Sequence, residues 1–167
     1  MPMLIRWREG AAAAAEDPFT RVDDDQRIPP GDVIISLLRF QNEGDYLLGQ
    51  GRRIGVLLGP DDAPEALAHD LPRLDVVALA FPKFRDGRPF SAALILRERL
   101  NYAGEVRAVG DVLLEQAKFM IRCGFDAFEP ADASTAAQWT AAAHRFRHVY
   151  QRSDDGLAPA FVERGAG

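Results

Sequence analysis

The sequence predicts an α/β domain of about five βα units around a mainly parallel sheet, with a small N-terminal β hairpin in front of it. Three observations carry that reading. Short apolar runs recur at 33–35, 54–58, 76–81, 106–109 and 125–128. They are continuous rather than alternating, as strands buried on both faces are. Each is followed by helix-like sequence, and a spacing of roughly twenty to thirty residues suits a strand plus its crossover helix. An open doubly wound sheet and a partial barrel both fit, because each reads as repeated βα units.

Taken in order, residues 1–31 form an extension in which 3–7 and 19–22 are strands of the hairpin, joined by a Gly and Ala linker. The α/β domain occupies 32–150. In it Ser91 is placed to cap a helix over 92–102, with Gly104 as its left-handed stop, and Asp111 to cap 112–122, with Gly124 ending it. Leu113, Ala117, Met120 and Ile121 share one face of the second helix and Glu115, Lys118 and Arg122 another, the pattern of a helix packed on a sheet. A last helix over 135–150 is anchored by Ala136, Ala137, Trp139, Ala143 and Phe146, and 151–167 reads as a flexible tail.

Composition narrows the function classes. At 167 residues the chain holds one substantial core, and a net charge of -5 argues against a nucleic-acid partner. The single cysteine, Cys123, cannot form an internal disulfide and reads as a buried apolar residue. Ala11–Ala15 is too short for a signal-peptide core, and no run reaches the ~18 apolar residues of a membrane span. A soluble protein of the cytosol, without a membrane partner, is expected.

In either architecture ligands gather at the carboxyl ends of the strands, here Ser36, 59–61, 81–88, Gly110 with Asp111, and Glu129. The loop 81–91 stands out, since Lys83, Arg85 and Arg88 outnumber Asp86 and a helix start follows. Guanidinium, ammonium and free backbone N–H groups suit a phosphate, sulfate, carboxylate or the acidic face of a partner. A merely solvated turn explains the same residues. Arg107 sits within an apolar strand and needs a partner against desolvation; Asp126 is the expected one, in a structural ion pair. His144 and His148 have the i, i+4 spacing of a metal pair, yet Arg145 and Arg147 flank them and no metal site is expected. No G-x-G-x-x-G, Walker, G-x-S-x-G or C-x-x-C motif is present, so no cofactor is expected.

Phe81-Pro82-Lys83-Phe84, Asp86-Gly87-Arg88, Leu96-Arg97-Glu98-Arg99, Arg107-Ala108-Val109-Gly110-Asp111-Val112-Leu113, Gln116 and Arg122-Cys123-Gly124-Phe125-Asp126-Ala127-Phe128 form a long motif series. It resembles the bacterial domain-of-unknown-function family 934, over most of residues 17–129. Members of that family are typically encoded beside assimilatory sulfite reductase and phosphoadenylyl-sulfate reductase genes and carry an oxidoreductase label. The resemblance implies a place in sulfur assimilation, with sulfite reductase or another protein of that pathway as partner. Lys83, Asp86 and Arg88 match the family pattern; Arg85 falls at a variable position.

Ligand-binding candidates are therefore Lys83, Asp86, Arg88, Ser91, Arg107, Gly110 and Asp111. The leading expectation is an accessory protein that binds a small anion or docks onto the reductase through the 81–91 loop. An enzyme with Lys83 and Asp86 as titrating groups and Arg88 stabilising negative charge is the alternative; a purely structural subunit is a third. Exposed apolar residues such as Trp7 or Phe161 would make a homodimer reasonable.

Overall fold

A computed structural model describes residues 3–83 and 86–145. The strands are β1 (Leu4–Arg8), β2 (Ala11–Ala15), β3 (Phe19–Arg21), β4 (Asp32–Ser36), β5 (Ile54–Leu58), β6 (Val76–Phe81), β7 (Glu105–Gly110) and β8 (Ala127–Phe128). The helices are α1 (Leu37–Leu48), α2 (Arg88–Leu94), α3 (Ala117–Arg122) and α4 (Ala136–His144). All eight strands join one sheet in the order β2-β1-β8-β7-β6-β5-β4-β3. From β3 to β8 every pair is parallel and successive strands are neighbours. The order never reverses, so the doubly wound alternative falls, and the sheet is a curled half-barrel.

The five apolar runs lie in β4 to β8 and at the entry to β8, and their buried character follows from two cores. Val33, Ile35, Ile54, Val56, Val77, Leu79, Val106 and Ala108 face the helices. The alternate residues Ile34, Val76, Ala78 and Val109 line the inside of the curl with Phe19. That inner space is tight: a Cβ on Gly55 would meet Ile34 Cγ1 at 2.9 Å and Val76 Cβ at 3.1 Å.

Several expectations need correction. The strand over 19–22 is not the hairpin partner of β1; as β3 it pairs with β4 at the opposite edge. The alanine run, read as a linker, is the partner instead, pairing with β1 from Leu4↔Ala15 to Arg8↔Ala11. Alanine has little strand preference, but the turn decides: Glu9 (φ 54) and Gly10 (φ 80) give the left-handed pair that a two-residue hairpin requires. The β5–β6 crossover holds two 3-10 turns, Pro64–Leu67 and Leu71–Arg73, rather than an α-helix. Pro64 and Pro72 each occupy the first positions of a turn and interrupt any longer helix.

The helix ends also move. α2 begins at Arg88, which puts Ser91 inside the helix, and it continues into a π-helical turn, Ile95–Arg99. Asn101 (φ 55), not Gly104, adopts the left-handed stop. Asp111 does not cap α3; a 3-10 turn, Leu114–Gln116, precedes that helix, and Asp132 accepts the Leu114 N–H at 2.8 Å. Gly124 (φ 105) follows α3 as expected. α4 starts on a reciprocal cap between Thr135 and Gln138, and Trp139 stacks on Phe128 with ring centres 4.3 Å apart. The expected helix residues 146–150, the tail 151–167, His148 and Phe161 lie outside the described residues, as do Phe84 and Arg85.

Charge holds the curl closed. The Arg107 side chain, 1% exposed, points into the concave side of β7. It donates to Asp17 at 2.7 and 3.2 Å, to Glu105 at 2.9 Å and to Glu129 at 3.3 Å. Glu129 also accepts two bonds from Arg21 of β3, at 3.0 and 3.3 Å, and Glu105 accepts one from Arg6 of β1 at 2.9 Å. Burial opposes the Arg107 charge, but Asp17 and Glu105 outweigh it and raise its pKa. Asp126 is not its partner: that carboxylate accepts the Val106 N–H at 2.8 Å and pairs with Arg97 at 3.3 Å. Burial pushes the Asp126 pKa up despite Arg97.

Arg107→Met strands carboxylates that are themselves largely buried and is expected to cost about 3–5 kcal/mol. Arg6→Ala, at the more exposed margin, should cost about 1 kcal/mol or less. Urea unfolding of both variants measures the difference.

Candidate functional site

The C-terminal ends of β5 and β6 open onto a cleft of about 440 Å³, walled on the far side by α2. Leu58, Pro60, Pro64, Leu79, Ala80, Ala92 and Ile95 make its floor mainly apolar. Local turn chemistry sets its shape. Gly59 N–H donates to Asp62 Oδ2 at 2.8 Å, folding the chain tightly as it leaves β5. On the other wall, Asp86 N–H donates to the Lys83 carbonyl at 3.0 Å, turning the chain from β6 towards α2.

Asp86 and Arg88 form a locked pair on the rim. Asp86 Oδ1 accepts from the Arg88 backbone N–H and from Nε, both at 3.0 Å, while Oδ2 accepts from Nη2 at 2.7 Å. Arg88 Nη1 reaches across the cleft to Asp61 Oδ1 at 2.8 Å. These side-chain and backbone bonds from Arg88 hold the Asp86 pKa down to about 2. Asp86 is therefore a fixed anion at neutral pH, far from the pKa that suits a general base. One carboxylate already serves the first free N–H of α2, and two serve the guanidinium.

The predicted residues fall into three places. Arg88 and Ser91 line the cleft, Ser91 exposed on the wall formed by α2, and Asp86 is held beside them through Arg88. Lys83 is exposed in the bend after β6. Gly110 and Asp111 sit one strand over, where the Asp111 N–H donates to the Phe81 carbonyl at 2.8 Å. Gly110 has φ +93, and a Cβ there would lie 2.5 Å from the Phe81 oxygen, so glycine is required to join the ends of β6 and β7. Arg107 belongs to the ion network inside the curl, away from the cleft lining.

The fold also gathers charge that the loop alone does not reveal. The strand-to-helix turns place Asp23, Asp24 and Asp25 after β3, Asp61 and Asp62 after β5, Asp86 and Asp111 after β6 and β7, and Glu129 and Asp132 after β8. Against them stand Arg21, Lys83 and Arg88 among the described residues of these turns and strand ends, and Arg39 of α1, which donates to the Asp23 carbonyl at 2.6 Å. The opposite rim is mixed, with Arg8, Arg27, Arg52, Arg53, Arg73 and Arg99 beside Glu9, Asp32, Asp70, Asp75, Glu105 and Asp126. Asp62, Ala92 and Ile95 had no individual signal as site residues. The Gly-Pro-Asp-Asp turn at 59–62 marked the place without showing which side chains converge there.

Other candidates resolve structurally. Cys123 is buried at 4% exposure. Trp7 is half-buried and lies against His144, with ring centres 5.6 Å apart, while His144 Nε2 contacts the Gly10 carbonyl at 2.7 Å. Among the described residues no three His, Cys, Asp or Glu side chains are grouped so as to hold a metal ion. No described helix is long and apolar enough to cross a membrane.

Fold and site together define a half-barrel α/β domain with an apolar cleft at the carboxyl ends of its central strands. The family comparison agrees with the motif series: residues 55–161 match the model described as "Bacterial protein of unknown function (DUF934)", and the chain belongs to that family. No curated protein matches the sequence.

Two outcomes test this description. Carboxyl NMR should give an Asp86 midpoint near 2. A lowered pKa contributes stability above the unfolded carboxyl value and loses it as pH falls through the folded one, so the lock with Arg88 should persist through mildly acidic pH. Gly110→Ala should cost about 1–3 kcal/mol, from left-handed strain and the clash with Phe81, read as a fall in Tm.

Proposed function

We propose that this protein is a cytosolic accessory factor of sulfur assimilation that acts by binding, docking onto sulfite reductase or another protein of that pathway through the cleft and the 81–91 loop. The observation that carries the docking reading is the cleft itself: an apolar floor beneath a rim whose one described cleft-lining cation is already held by two carboxylates. An apolar floor is suited to a side chain of a partner. A free sulfate or sulfite would have to displace Asp86 or Asp61 from Arg88 and would meet their repulsion. The pathway assignment rests on the gene neighbourhood that accompanies the family resemblance, an associational support distinct from the geometry.

The acid–base alternative gains nothing from the site, because Asp86, one of its two titrating groups, is a poor proton acceptor at neutral pH. A purely structural subunit would leave the cleft without a role.

Pull-down of sulfite reductase with the wild type, Arg88→Ala and Lys83→Ala, beside calorimetry with sulfite, sulfate and adenylyl sulfate, tests the proposal. Capture should weaken about tenfold in Arg88→Ala, equivalent to about 1.4 kcal/mol, because the bonds to Asp86 and Asp61 that set the shape of the rim are lost, with Tm nearly unchanged because Arg88 is exposed. No anion should give saturable heat in the micromolar range. Saturable anion binding lost in Arg88→Ala would replace docking with a small-anion site; undiminished capture by both variants would remove the loop from the interface.

A further inference from the structure

We infer that the cleft receives an apolar side chain carried on a basic segment of its partner, flanked by lysine or arginine; this rests on the docking reading and specifies the chemistry of what docks. The floor supplies the first half of the argument. Leu58, Leu79, Ala92 and Ile95 line a cavity of about 440 Å³, enough to admit a leucine- or phenylalanine-sized group. The charge around it supplies the second half. Among the described residues the carboxyl-end turns are acid-rich, nine carboxylates against Arg21, Arg39, Lys83 and Arg88, whereas the opposite rim is nearly balanced. The positive ends of the four helices, which all start on this rim, offset at most about two elementary charges.

Asp61 is the contact this predicts most directly. Its side chain is 94% exposed and pairs with Arg88. A lysine or arginine arriving beside the cleft can take Asp61 while Asp86 retains Arg88 through three bonds. The loop 81–91, read in isolation, has the opposite sign and would invite an acidic partner. In the fold Arg88 stands beside Asp61, a carboxylate contributed by another turn, and the acid-rich turns around it make a wider field that attracts positive charge and repels negative charge. Complementary charge then guides the encounter, and the apolar anchor supplies the burial.

The test uses the full chain and three end-capped peptides: Lys-Arg-Leu-Phe-Lys-Arg, its acidic counterpart Glu-Asp-Leu-Phe-Glu-Asp, and Lys-Arg-Ser-Ala-Lys-Arg, which lacks the anchor. Fluorescence anisotropy should show the first binding at least about tenfold tighter than either other peptide, and weakening as salt rises. Asp61→Lys should reduce that binding about tenfold. Ala92→Phe, which fills the cleft, should abolish it, with thermal melts confirming that both variants fold. Equal or tighter binding of the acidic peptide, indifference to Asp61→Lys, or indifference to the Leu-Phe anchor would overturn the inference. The outcomes separate it from the docking reading: reductase captured equally by wild type and Asp61→Lys leaves docking intact and removes the basic segment. Selective binding of the basic peptide without reductase capture keeps the cleft chemistry and removes that partner.

Discussion

The buried guanidinium of Arg107 is the interaction on which the rest of this architecture depends. A half-barrel has two edges and a concave face that no helix covers, and here the inner apolar cluster is small. Arg107 draws Asp17, from the approach to β3, onto the middle of β7, while Glu129 beyond β8 holds Arg21 of β3. The β3 edge of the curled sheet is thus tied to β7, β8 and β1 by alternating charges rather than by a strand ladder. Each carboxylate in this network meets at least one guanidinium, so the cost of burying the ions is offset locally. Such a network favours one degree of curl because its bonds require particular separations across the interior.

That arrangement separates two environments on the same strands. Residues directed inward meet the ion network, and residues directed outward meet the helices. The cleft belongs to the helix side: the β5–β6 crossover is built of short turns instead of a full helix, and the cleft lies between those turns and α2. The Asp86–Arg88 lock then stands on an apolar slope rather than in a cationic hollow. A polar rim around an apolar centre is the organisation of a contact surface, whereas acid–base chemistry needs a group poised to exchange its proton.

Much of this was legible in the residues. Continuous apolar runs located β4 to β8, because burial on both faces leaves no polar alternation to obscure them. Asp86 and Arg88 were identifiable from a turn-rich segment following such a run. The hairpin partner was concealed by alanines, whose side chains carry no strand signal; only the left-handed turn at Glu9 and Gly10 placed them in the sheet. Sequence points Arg107 to Asp126 and not to its true partners, because adjacency of predicted strands says nothing about which face a carboxylate occupies. Glu105 was within reach of simple reasoning, since residues two apart on a strand share a face. Asp17 and Glu129 depend on curvature, a property of the whole sheet, and the acidity of the carboxyl rim likewise emerges only when separate turns are brought to one end.

The topology gives synthesis of the chain a particular order. β1 precedes the other described strands in the chain, yet its interior neighbour is β8, with Ile5 opposite Phe128. Its only earlier companion is β2, and a lone two-stranded ribbon has little stability in water. The parallel strands from β3 onward can add one after another as they appear, each beside its predecessor. Arg107 precedes Glu129 in the chain, and the inner charges are fully matched only once the segment after β8 has joined the sheet. Completion should be late and cooperative, with the amino-terminal ribbon held in waiting while most of the domain assembles.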